Sequence, residues 1–69
     1  MNSSMTKEMY EKLKNSIWDN GIFAIDDLLG YEVNINEDKD VIENRMDMVL
    51  DQMPKDIALQ YYHKYVENQ

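Results

Sequence analysis

The chain contains no cysteine, so neither a disulfide nor a thiolate metal site can brace its fold, and a reducing, cytoplasmic setting is expected. Its single histidine, His63, has no second imidazole to work with, and the serines Ser3, Ser4 and Ser16 all stand far from it in sequence. A nucleophile, a base and an orienting acid cannot be assembled from that stock, so the expectation is a protein that is not an enzyme. His63 itself, on the polar side of the last helical segment between Gln60 and Glu67, reads as a solvated surface residue. No apolar run approaches the roughly 18 residues that a membrane-spanning helix needs. The opening "MNSSMTKEMY" also lacks the basic start and apolar stretch of a signal peptide, so no membrane insertion is expected. Positive charge is scarce too: seven Lys and Arg face fourteen Asp and Glu, for a formal charge of -7. That balance disfavours nonspecific attraction to nucleic acid or an anionic bilayer, and a charged partner should be basic.

What is present suits one small folded domain over residues 1–69, with residues 1–4 expected to be disordered. At 69 residues the chain is near the size at which one core only just offsets the conformational entropy of folding. The charge is unevenly placed. Lys7, Lys12 and Lys14 balance Glu8, Glu11 and Asp19, and Lys55 and Lys64 balance Asp56 and Glu67. The whole acidic excess therefore lies between Asp26 and Asp51.

Hydrophobic periodicity predicts an all-α bundle of three to four short helices, over about 5–20, 22–29, 37–53 and 55–67, with an extended connector at 31–36. In the first, Met9, Tyr10, Leu13 and Ile17 recur as one stripe; Ser4 or Thr6 caps it and Gly21 stops it in a left-handed conformation, with Ile22 and Phe23 packing back on its last turn. Trp18 falls off that stripe and must pack under the next segment or stay partly exposed. The second helix groups Ile22, Ile25, Leu28 and Leu29, and Gly30 closes it. "YEVNIN" alternates Tyr31, Val33 and Ile35 with Glu32, Asn34 and Asn36. That pattern fits a connector laid over the helices, or a strand pairing with a second copy or a partner's edge. Asn36 is the expected cap of the third helix, with Glu37, Asp38 and Asp40 in its first turn. Ile42, Met46, Val49, Leu50 and Met53 form its buried face, flanked by Val41 and Met48, and Pro54 ends it. The last helix turns Ala58, Tyr61, Tyr62, Tyr65 and Val66 inward. The short link predicts an antiparallel hairpin of the last two helices.

The carboxylates bear on function. "NEDKDVIENRMD" matches the first three ligand positions of a calcium loop at Asn36, Asp38 and Asp40. It then places Val41 where the turn glycine belongs and Asp47 where a bidentate glutamate belongs, so no metal and no cofactor is expected. Asp40, Glu43, Asp47 and Asp51 instead fall within an arc of about 80° on the third helix, with Glu37 at its edge, and are expected directly opposite the apolar stripe. Like charges at i,i+4 cost a few tenths of a kcal/mol per pair, and a helix tuned only for stability would interleave lysines.

Those residues, with Asp26, Asp27 and the aromatic Tyr31, are the expected partner-binding set. The expected function is an acidic protein-binding module, an inhibitor or regulator docking on the basic surface of a nucleic-acid-binding protein. Phage-type inhibitors, DNA mimics and anti-CRISPR-like proteins are of this physical kind, by analogy of type. The alternative is a homo-oligomer, a dimer in the simplest case, that self-associates through Tyr31, Val33, Ile35 and the tyrosines of the last helix. Five tyrosines and one tryptophan are more than so small a core is expected to bury, leaving Tyr31 and one of Tyr61 or Tyr62 outside.

Overall fold

A computed structural model describes residues 5–34 and 36–68. Among them the chain forms four helices and no strand: α1 (Lys7–Asn20), α2 (Ile22–Leu29), α3 (Lys39–Gln52) and α4 (Lys55–Tyr62), the last running into a π-helical turn, His63–Glu67. The expected disorder of residues 1–4, a cap at Ser4 and the placement of Ile35 all lie outside the described residues.

Thr6 caps α1, its hydroxyl accepting the Met9 N–H at 3.2 Å. Helix α1 therefore begins two residues later than expected. Met5, just before the cap, is buried, and with Tyr10 it occupies the positions of a hydrophobic staple. Leu13 and Ile17, one turn apart, become completely buried against Met46 of α3 and the surrounding Ile25, Leu28, Ile42, Leu50, Ala58, Tyr62 and Tyr65. Helix α1 is thus the central element: α2, α3, α4 and the π turn all pack on it, and α2 also packs on α3.

One glycine joins α1 to α2. Gly21 donates its N–H to the Ile17 and Trp18 carbonyls, while its own carbonyl accepts from Ala24 and Ile25. Its φ of 98° and ψ of -170° lie outside the left-handed helical region expected for it and are open essentially to glycine alone; the left-handed cap is Gly30, at φ 82° and ψ 13°. A Cβ at position 21 would meet nothing within 4 Å, so any penalty is backbone strain alone. Gly21→Ala is expected to destabilise the fold by about 2 kcal/mol in urea unfolding. A loss below a few tenths would show that the junction relaxes at no cost.

Several expectations are corrected. Phe23 does not fold back on α1: it is 84% exposed on the outer side of α2, while Ala24, Ile25 and Leu28 take the inner side. Helix α3 starts at Lys39, not residue 37, because Asn36 serves a local turn instead of the helix. Its N–H bonds to Asn34 Oδ1 and the Glu37 N–H to the Asn34 carbonyl, leaving Asp38 in the cap position. The connector runs over the helices: Val33 is buried and donates its N–H to Asp26 Oδ1 at 2.9 Å.

Nor do α3 and α4 form an antiparallel hairpin; their backbones hardly approach one another. Met53 and Pro54 are both extended, at ψ 136° and 143°, so the chain leaves α3 straight and α4 swings across to α1. Tyrosine burial is also more complete than expected. Tyr62 and Tyr65 are buried, Tyr61 is half-buried and stacks on Tyr65 with ring centroids 6.2 Å apart, and Tyr31 alone of the group expected outside remains exposed. Trp18 packs against the core under the Lys39 ammonium, which lies 5.3 Å from its ring centroid.

Candidate protein interface

Apart from Tyr31, the expected site residues divide into two groups. Asp26 and Asp27 belong to the fold's internal polar network. Asp26 holds the connector through Val33. Asp27 Oδ2 accepts from the Tyr65 hydroxyl at 2.6 Å and from Lys64 Nζ at 3.0 Å, and its carbonyl accepts the Tyr61 hydroxyl at 3.2 Å. The Tyr65 hydrogen bond, followed by that of Lys64, holds the Asp27 carboxyl below the ordinary carboxylate range. This cluster staples the C-terminal turn to α2. Glu37 is likewise engaged, with both its oxygens facing Arg45 Nη1, at 2.8 and 3.0 Å.

The remaining four, Asp40, Glu43, Asp47 and Asp51, share α3, but not opposite its core. At about 100° per residue, the buried Ile42, Met46 and Leu50 centre about 100° away from the carboxylates, not 180°. The acidic row is therefore a flank, turned toward α1. The consequence is visible at Asp47, whose Oδ1 lies 3.0 Å from Lys14 Nζ. That hydrogen bond is the main reason the Lys14 amine titrates above its ordinary value, with the charges of Asp47, Glu11 and Glu43 adding to it. Sequence reasoning missed Lys14 because it judged the charge of α3 within α3 alone. The i,i+7 recurrence of Lys7 and Lys14 on α1 was the available signal.

Opposite the core, where the carboxylates had been expected, stand Asn44, Met48 and Val41. Met48 is 61% and Val41 39% exposed. The exposed sector of α3 thus runs from Asp40 and Asp51 through Asn44 to Met48 and Val41. Asp40 and Asp51 make no ion pair among the described residues, although Lys7 and Lys55 line an open groove of about 470 Å³ beside Asp51. The cations of α3 itself are committed elsewhere: Arg45 to Glu37, and Lys39 over Trp18. Tyr31, 49% exposed, follows the end of α2 and belongs to neither group.

Among the described residues no three His, Asp or Glu side chains converge as a metal site, and no helix is long and apolar enough to cross a membrane. His63 is exposed and pairs with Glu67 within the π turn. Comparison of the chain with protein-family models, curated proteins and solved structures found no match.

Proposed function

We propose that the protein is a non-enzymatic binding module, acting in the cytoplasm as an inhibitor or regulator that docks the exposed side of α3 on a basic surface of a partner protein. One observation carries this reading: Asp40 and Asp51 are exposed without an ion pair among the described residues, on the same helix sector as an exposed methionine. On the same helix Asp47 is answered by Lys14, so Asp40 and Asp51 are the exposed carboxylates left to meet a partner's cations. Methionine is adaptable and polarizable, and it is enriched at interfaces. A nucleic-acid-binding protein, of the kind a phage-type inhibitor or DNA mimic covers, is one partner that carries a basic surface.

Affinity for such a partner should fall steeply with salt, because exposed charges lose their attraction beyond a Debye length of about 10 Å at 0.1 M. In pull-downs at low and high salt, Asp40→Lys with Asp51→Lys is expected to weaken capture by at least about tenfold, or ~1.4 kcal/mol, with unchanged circular dichroism. Capture indifferent to both salt and charge reversal would end this reading.

Self-association is the second reading, favoured by Phe23 at 84% exposure and Tyr31 at 49%. Val33, Tyr62 and Tyr65 are already buried within the chain, so those two aromatics remain for it. Sedimentation at rising concentration distinguishes it, since it requires a concentration-dependent dimer that Phe23→Ser dissolves.

A further inference from the structure

We infer that the outward face of α3 seats a basic amphipathic helix of the partner, its apolar row lying on Val41 and Met48 and its lysine or arginine row on Asp40 and Asp51. This rests on the reading that α3 docks on a basic partner, and it names the form that partner takes.

The geometry has two parallel rows. Val41 and Met48 are seven residues apart, so their side chains leave α3 at nearly one angle and about 10.5 Å apart along its axis. Asp40 and Asp51 are eleven residues apart, about 16 Å, on a line rotated by about 80°. A complementary surface must therefore carry an apolar row beside a cationic one, each two to three helical turns long. A helix with leucines at i and i+7, and lysines or arginines on the adjoining side, has that form, and helices lie along one another over such lengths.

Two other occupants fit less well. A groove built to read phosphates would set ammonium and guanidinium groups against Met48, which would gain no apolar burial. It would also meet a broken ladder, because Lys14 already occupies Asp47. A second copy of this chain, related by a two-fold axis, would bring its own Asp40 and Asp51 to the same face, opposing them to like charge or to the apolar row and answering neither carboxylate with a cation from that sector.

Two synthetic helical peptides of identical lysine and leucine content provide the test, one with the two residue types in adjacent stripes and the other with them interleaved around the helix. They are titrated into the full chain, with amide chemical shifts recorded. The wild type is compared with the neutral, shape-conserving pair Val41→Thr and Met48→Gln, and with Asp40→Asn and Asp51→Asn. The striped peptide is expected to bind about tenfold or more tightly than the interleaved one. Shifts should centre on 40–52, and Val41→Thr with Met48→Gln should erase that preference without changing the interleaved peptide's affinity. Equal affinity of the two peptides overturns the inference, as does indifference to Val41→Thr with Met48→Gln. If Asp40→Asn and Asp51→Asn still weaken both peptides equally, docking on a basic surface stands while the helical partner falls. Absence of binding by either peptide also overturns the helical partner and leaves the docking reading to the charge-reversal capture experiment.

Discussion

Leu13→Ala is expected to cost about 3–5 kcal/mol and to lower the melting temperature by roughly 15 °C or more, leaving a substantial unfolded population. The size follows from position. Leu13 is completely buried at the middle of α1, the helix on which every other element packs, so the cavity would open where no single neighbour can close it. The loss is large beside the roughly 3–10 kcal/mol that a chain of 69 residues holds in total. With no cysteine in the chain, no disulfide restrains its unfolded state. Phe23→Ala is the contrasting variant: a larger apolar side chain is removed, yet at 84% exposure the expected change is within about 0.5 kcal/mol. Urea unfolding followed by far-UV circular dichroism measures both. A Leu13→Ala loss under about 1 kcal/mol would mean that the core collapses freely around the gap, contrary to the packing described.

The same two residues show what could be read from the sequence. Leu13, on a stripe that recurs every three to four positions, was assignable to the core because burial of an amphipathic helix is dictated by its own periodicity. The bounds of α2 followed likewise from glycines on either side. Phe23 obeys no such rule: its exposure is decided by which side of α2 faces α1 and α3, and Ala24 and Ile25 occupy that side. The reading failed at three further places, two of them local and one long-range. Two consecutive extended residues, Met53 and Pro54, sent α4 away from α3. Asn36 was claimed by a local turn with Asn34. Lys14, 33 residues from Asp47, neutralised the centre of the acidic row. The acidic flank itself was legible as a set of residues on one helix. Its angular relation to the core was not, because the expected opposition ignored that Glu43 and Leu50 lie only about 20° apart on the helix.

The π turn offers the second large effect, because Tyr65 joins burial and hydrogen bonding in one side chain. Tyr65→Ala is expected to cost about 3 kcal/mol or more, by analogy with truncation of buried aromatics, and to detach His63–Glu67 from α1 and α2. Tyr65→Phe keeps the ring and should cost about 1 kcal/mol, the net value of one hydrogen bond. The pH dependence separates the two contributions. Asp27 is held below its ordinary value, by the Tyr65 hydroxyl first and Lys64 second, so its contribution is present above about pH 4 and is lost as pH falls through the lowered value. Tyr65 is raised, mainly by burial and then by Asp27, so its contribution is present below about pH 10 and is lost as pH rises beyond. Tyr65→Phe should therefore flatten both limbs of the stability profile, whereas Asp27→Asn should flatten the acid limb most. If the acid limbs of wild type and Asp27→Asn coincide, the carboxylate does not fasten the turn, and its attachment rests on the Tyr61 and Tyr65 rings alone.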